Sequence, residues 1–255
     1  IGKLGDDEAG NRDARWLRES GVNCQGLILS PEAKTGQGLG INERVTGRNL
    51  IVTGESSSKW LSFQEVEESL RSLAPAEFFI TGFEIKEELV LPAAKLAKEL
   101  GMKVVLNPSP LPKMTLEAIP YVDYFIVNDI EAKKLLGMGE DAPLEPEKVL
   151  RALKEKYQTE NVIMTMGGEG YAGLEKDHFF SGAQIPVSPI VDTSGAGDGF
   201  LSAMVVNLHW GKNLEEACRW ANKYAARVVL VDGTLKGYST VEELEAFYRE
   251  RGESL

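Results

Sequence analysis

The sequence predicts an α/β fold, a doubly wound and mainly parallel sheet flanked by helices. Three observations carry this. From Ser62 to Met166 short apolar runs alternate with amphipathic stretches at the spacing of βαβ units. The runs are rich in the Val, Ile and Leu expected of strands buried on both faces. Polar residues follow their carboxyl ends, at Gly82-Phe83-Glu84, at Asn107-Pro108-Ser109-Pro110 and at Asn128, where open α/β sheets bind ligands.

Taken in order, Asn11 to Glu19 reads as a short amphipathic helix with Gly21 as its C-terminal cap. Gln25–Ser30, Gly36–Asn42 and Asn49–Thr53 read as short strands separated by turn residues. Without helices between them, they break the βαβ rhythm. Ser62 and Glu65 form a capping box for a helix to about Leu73. Glu77–Thr81 is a strand, and Leu89–Leu100 a helix stopped by Gly101, which requires Pro92 to lie in its first turn. Lys103–Leu106 and Tyr124–Val127 are strands, Pro146–Tyr157 a helix, Asn161–Met166 a strand. A hairpin through Tyr171–Leu174 and His178–Ser181 follows. The apolar run Ile185–Val191 reads as a strand handing over to a helix from Gly199 to Trp210. Asn213 with Glu216 opens a helix to about Val231, broken by Asp232-Gly233-Thr234, and Thr240 with Glu243 starts the last one.

At 255 residues the chain suits one large α/β domain. Its net charge of −11 argues against non-specific nucleic-acid binding, which needs a basic face. It does not argue against a phosphorylated ligand, because a local turn binds phosphate inside an acidic protein. Cys24 and Cys218 lie far apart and suggest a reducing compartment rather than a disulfide framework. No apolar run reaches the length of a membrane span and no signal peptide is visible, so the expectation is a cytoplasmic protein.

The stretch that carries chemistry is Asp192-Thr193-Ser194-Gly195-Ala196-Gly197-Asp198. Gly195 and Gly197 let backbone N–H groups approach a ligand without a Cβ in the way. The orphan amides of a helix's first turn face outward there, and the helix dipole favours an anion. Asp198 is a carboxylate inside this anion trap. That is a poor choice for holding phosphate, and a good one for taking a proton from a hydroxyl that attacks a phosphoryl group. A second constellation is Asn128-Asp129-Ile130-Glu131, where Asn and Glu three apart at a helix start face the same side. It suits Mg²⁺, which keeps several waters and takes few protein ligands, and it equally suits a plain capping box. A third is Thr165-Met166-Gly167-Gly168-Glu169-Gly170, where glycines after a strand end allow backbone to approach phosphates.

These motifs resemble, in order, those of the ribokinase-like (PfkB) carbohydrate kinases. The resemblance covers nearly the whole chain. It implies the ribokinase-like form of the fold, with residues of about 22–54 contributing strands to a small β-sheet lid over the sugar. It implies that Gly195, Ala196 and Gly197 form the anion hole, that Asp198 is the catalytic base and touches the substrate, and that Asn128 and Glu131 are the Asn-x-x-Glu motif, Glu131 holding Mg²⁺ through water. It assigns Thr165 to Gly170 and Gly197 to ATP, and places Asn222 against adenine and Glu84 against the sugar. Asp192 and Ser194, with carbonyls of Val228, Val231 and Gly233, match a monovalent-cation (K⁺) loop, although Asp192 could equally brace the turn. The expected function is transfer of the ATP γ-phosphate to a hydroxyl of a sugar or nucleoside, with ribose favoured by Glu84 and Asn107-Pro108-Ser109-Pro110. A homodimer formed through the lid is a further expectation.

Ile1-Gly2-Lys3-Leu4-Gly5-Asp6-Asp7 is similar to a stretch that in this family follows a first strand and a Gly-Gly sugar loop. The expectation is therefore that the N-terminal part of the fold is missing from this chain, and the alternative function is a non-catalytic, nucleotide-binding form. Several motifs lead nowhere. Gly36-Gln37-Gly38-Leu39-Gly40 misplaces the third glycine of a dinucleotide fingerprint, Gly54-Glu55-Ser56-Ser57-Ser58 lacks the closing glycine of a nucleophile elbow, and Gly211-Lys212-Asn213 fails the Walker A pattern. His178 and His209 are isolated, without zinc-ligand spacing.

Overall fold

A computed structural model describes residues 1–42, 49–54 and 56–253. The chain forms two units, Ile1–Asp123 and Tyr124–Leu255. Among the described residues no helix is long and apolar enough to cross a membrane.

The first unit begins with β1 (Gly2–Gly5), α1 (Glu8–Glu19) and β2 (Leu27–Ser30). β1 and β2 pair in parallel, Gly2 opposite Leu27 and Gly5 opposite Ser30. This corrects one expectation: β2 does not break the βαβ rhythm but is the second half of a βαβ unit, whose first strand is formed by the opening residues. α1 starts three residues earlier than the pattern of apolar residues suggests, because Asp7 caps it, its Oδ1 accepting the Gly10 N–H at 2.8 Å. The expected lid strands reduce to an antiparallel ribbon of β3 (Gly38–Asn42) and β4 (Asn49–Thr53), with Leu39 opposite Val52. Residues 43–48 of the lid segment, and Glu55, lie outside the described residues.

A 3₁₀ turn (Ser57–Trp60) leads to α2 (Phe63–Leu73). Its capping box forms as the sequence predicts: Ser62 N–H donates to Glu65 Oε2 at 2.8 Å and Glu65 N–H to Ser62 Oγ at 3.3 Å. The other oxygen of Glu65 pairs with Lys3 of β1 at 2.6 Å and fastens the helix to that strand. β5 (Phe78–Thr81), α3 (Glu87–Glu99) and β6 (Lys103–Leu106) follow, with β5 and β6 parallel. α3 begins two residues earlier than predicted, so Pro92 sits in the second turn and removes one helix hydrogen bond. Burial of Leu89, Val90, Ala93, Ala94 and Ala97 on the same helix outweighs that loss.

The second unit is built on β7 (Tyr124–Asn128), α4 (Asp129–Leu136), α5 (Pro146–Tyr157) and β8 (Asn161–Thr165). β7 and β8 are parallel, and their registers put Asn128 beside Thr165 at the carboxyl ends. A 3₁₀ turn (Gly167–Glu169) reverses the chain into β9 (Tyr171–Glu175) and β10 (His178–Gly182), both antiparallel additions. Then come α6 (Ala196–His209), α7 (Leu214–Val228), the single turn α8 (Thr234–Gly237) and α9 (Val241–Glu250). Phe125, Val162, Ile163, Met164 and Ala172 from the strands and Met204 from α6 are fully or almost fully buried and form the core here.

Three predictions fail in this unit. Residues 185–191 form no strand, because Pro186 and Pro189 carry no N–H for a ladder. The segment is held instead by Val191 N–H donating to Val229 O at 2.8 Å. α6 starts at Ala196 rather than Gly199, since the Gly199 N–H already bonds Gly195 O at 2.8 Å. α7 ends at Val228 rather than Val231, where i→i−3 bonds from Leu230 to Arg227 and from Val231 to Val228 tighten the chain. Its N-terminus is capped by one bond, Glu216 N–H to Asn213 Oδ1 at 2.9 Å, whereas the last helix has the full reciprocal box.

Candidate active site

The turn before α6 has its shape because residue 195 is glycine. Gly195 has φ of +78° and is the N-cap. A Cβ there would collide with the Thr234 methyl and lie 2.8 Å from the Tyr238 hydroxyl. Gly197 is different: a Cβ built on it meets nothing within 4 Å. No packing demands a glycine at 197, and its backbone is open to approach.

With α6 starting at Ala196, the first turn contains Ala196, Gly197 and Asp198. The Ala196 N–H is spent on Thr193 O at 3.2 Å. Among the described residues, no protein acceptor takes the N–H groups of Gly195, Gly197 or Asp198. Of the expected donors Gly195, Ala196 and Gly197, Ala196 is thus spent, and the unspent amides are those of Gly195, Gly197 and Asp198. Unspent amides at the positive end of a 14-residue helix attract a phosphate.

Asp198 has no described protein partner, and its side chain reaches solvent. The protein packed around it raises its carboxyl above the ordinary value of 3.8. Tyr238, which sequence reasoning missed, stands close by. Its hydroxyl donates to Gly195 O at 3.4 Å, and burial, then the Asp198 charge, push that hydroxyl up to about 12. It stays neutral and braces the turn. A lone Tyr beyond a Gly-rich break carries no sequence signal of this.

Asp192 holds the turn from the other side. Its Oδ1 accepts Ser194 N–H at 2.9 Å and its Oδ2 accepts Gly233 N–H at 3.1 Å. Val228 O accepts from Val231 N–H, and Gly233 O from Gly237 N–H. Of the two readings of Asp192, bracing accounts for both of its oxygens.

Asn128 and Glu131 do form the capping box at the start of α4. Glu131 N–H donates to Asn128 Oδ1 at 2.8 Å, and Asn128 N–H to Glu131 Oε2 at 2.9 Å. The box fixes both side chains at the strand ends and leaves the Asn128 Nδ2 outside its bonding. Beside them, Thr165 ends β8. The loop after it is closed by Met166 N–H to Gly170 O at 2.8 Å and Glu169 N–H to Met166 O at 2.9 Å. Gly167 and Gly170 have φ of +49° and +98°, and a Cβ on Gly170 would collide with the Gly182 carbonyl. Gly167, Gly168 and Glu169 are exposed, with their backbone on the surface. Asn222 of α7 does not stand free: its Nδ2 donates to Ala183 O at 2.8 Å and ties the chain after β10 to the helix. All these residues belong to the second unit.

Glu84 belongs to the first, in the turn after β5. It is exposed, and its backbone carbonyl accepts from Ser58 Oγ at 3.4 Å. Gly82 in the same turn packs against the strand-end loop that follows β6, since a Cβ on it would lie 2.7 Å from Asn107 O.

Comparison with known proteins gives the family and the fold. The model of the pfkB family of carbohydrate kinases matches residues 1–240. The deoxyribokinase of Salmonella typhi is 28% identical over 247 residues, covering 96% of this chain and 79% of that protein. The ribokinase of Bacillus subtilis is 29% identical over 250 residues, covering 96% and 79%. The crystal structure of a ribokinase from Thermotoga maritima superposes with a TM-score of 0.83 at 27% identity, covering 97% of this chain and 80% of that one.

Proposed function

The chain belongs to the pfkB family of carbohydrate kinases, and from that premise we propose that it transfers the γ-phosphoryl group of ATP to a hydroxyl of a pentose, ribose or deoxyribose, with Asp198 as general base. The observation that carries the reading is the unpartnered Asp198 carboxylate, raised in pKa, in the first turn of a helix whose leading amides are unspent. A carboxylate raised toward the working pH accepts a proton more readily than an ordinary one.

In the reaction a sugar hydroxyl oxygen bonds to the γ-phosphorus, the bond to the β-γ bridging oxygen breaks, and the hydroxyl proton passes to Asp198. The N–H groups of Gly195, Gly197 and Asp198 hold the phosphoryl oxygens as charge shifts among them. The loop Thr165 to Gly170, with its exposed glycines, suits the nucleotide phosphates, beside the Asn128 Nδ2. Glu131, one carboxylate fixed by its capping box, suits Mg²⁺ bound largely through phosphate and water. When bound, the ion neutralises phosphate charge. Asn222 reads as a brace of the nucleotide-side wall through Ala183. A K⁺ ion at Asp192, Ser194, Val228, Val231 and Gly233 is not required, because Asp192 already ties the turn to the Gly233 loop.

The choice of a pentose rests on the relatives named above and on the exposed Glu84 beside the strand-end loop. The expected pairing of two copies through the lid rests on the cross-strand pair Leu39 and Val52, 61% and 52% exposed. The unspent Asp198 argues against the non-catalytic alternative. The test is ADP release from MgATP with ribose, deoxyribose, fructose, a ketodeoxysugar acid and nucleosides in parallel, followed by mass analysis of the product. Turnover fastest with a pentose supports the assignment; turnover fastest with a nucleoside or hexose overturns the substrate, and no turnover with any overturns the activity.

A further inference from the structure

Four residues of α6 (Ser202, Ala203, Val206 and Asn207) and its C-cap Trp210 line a cavity of about 170 Å³ in the second unit. Val206 and the cap residue Trp210, Trp220 and Tyr224 of α7, and Val241 and Leu244 of α9 supply most of its walls. It is separate from the face of α7 that carries Asn222. Two residues along a helix turn a side chain through roughly 200°, so Trp220 and Tyr224 look away from Asn222.

Of the polar residues that line the cavity, Asn207 and Ser239 each carry a buried atom without a partner among the described residues. Asn207 is 4% exposed; its Nδ2 donates to Ala203 O at 2.8 Å, while its Oδ1 has no donor. Ser239 offers its backbone N–H to the Tyr224 hydroxyl at 3.0 Å, while its Oγ has no partner. Buried polar groups are nearly always paired, so two orphans around one apolar cavity point to a complement supplied from outside the chain. Among the described residues no charged side chain lines the cavity, and a charged ligand would be desolvated without a counter-charge. The volume suits one aromatic ring, since a cavity of about 150 Å³ takes benzene. A hydroxyl both donates and accepts, so it can meet either orphan.

We propose that this cavity binds a small neutral single-ring ligand bearing a hydroxyl, of the phenol class, at a site distinct from those for nucleotide and sugar. The test is calorimetric titration of the full chain with phenol and with toluene, which has the same ring and no donor. Phenol binds with a dissociation constant on the order of 1 mM, within reach of so small a ligand, and at least about tenfold more tightly than toluene. Asn207→Leu removes that preference. Val206→Trp, at an exposed wall position, fills the cavity and abolishes binding of both. If Asn207→Leu does not fold, Ser239→Ala takes its place, because Oγ holds nothing, and the preference for phenol falls there too. Equal binding of the two probes, binding of neither, or a preference unchanged by these substitutions overturns the proposal. The titration contains no nucleotide or sugar, so its outcome is independent of the kinase reading.

Discussion

Asp7 and Asp198 occupy the same kind of place and are treated in opposite ways. Each lies where a turn containing glycine becomes a helix, Asp7 as the N-cap of α1 and Asp198 in the first turn of α6. Asp7 is saturated. It accepts N–H groups from Gly10 and Thr35 and the Thr35 hydroxyl, at 2.8, 2.9 and 2.8 Å, and the Thr35 hydroxyl in turn accepts Gly5 N–H. These bonds, the Thr35 N–H foremost, lower its pKa. Asp198 has no such bonds, and burial raises its pKa. A helix start with a satisfied carboxylate is finished structure, whereas one with an unsatisfied carboxylate and unspent amides is poised for a ligand.

The largest expected effect is on Asp198. Replacing it with Asn, which keeps size and removes the base, lowers the turnover number for sugar phosphorylation by about two to four orders of magnitude, read as ADP release. Asp7→Asn leaves that number within about twofold, because its partners are Gly10 and Thr35 and none of the residues of the candidate site. If the two substitutions cost the same activity, the distinction between the two turns collapses.

Gly195→Ala comes next. Alanine at φ of +78°, against Thr234 and Tyr238, costs about 1–3 kcal/mol and lowers the melting temperature together with activity. Gly197→Ala sharpens the contrast. Its Cβ meets no atom, so stability changes by less than about 1 kcal/mol, while the methyl stands where phosphate approaches and activity falls about tenfold. A melting temperature that drops as far as in Gly195→Ala would make Gly197 structural after all.

The smallest effect is on stability alone. Asp7→Ala loses the cap and the Thr35 bonds and lowers the melting temperature at neutral pH without changing the KM for ATP. Because the folded-state pKa of Asp7 is lowered, this contribution is present above the ordinary carboxylate value and is lost as pH falls through the lowered one. The difference from the parent chain therefore shrinks in acid.

Much of this was legible in the sequence because local chemistry wrote it. The capping boxes at Ser62, Asn128 and Thr240 and the parallel strands at Lys103–Leu106 and Tyr124–Asn128 need only residue type and spacing. The errors arose where a distant partner decides. Apolar composition suggested a strand at 185–191, but two prolines and a bond to Val229 made it an irregular brace. Gly2–Gly5 became a strand only by pairing with Leu27–Ser30 across a helix. At the site, the glycines and Asp198 announced themselves, whereas Tyr238 came into view through its contact with Gly195, 43 residues away. The start of α6 at Ala196 also spends one of the expected donors, the Ala196 N–H, on Thr193 O.

The most direct test of the poised carboxylate measures thermal unfolding and sugar-dependent turnover on the same samples of the parent chain and Asp198→Asn across pH. The folded-state pKa of Asp198 is raised, so the folded chain binds the proton more tightly than the unfolded one. Stability therefore falls as pH rises through the window above the ordinary carboxylate value of 3.8. The account predicts that Asp198→Asn melts higher than the parent at neutral pH, converges with it below that value, and has lost its turnover. An Asn variant that melts lower at neutral pH, or one that still phosphorylates the sugar, would contradict it.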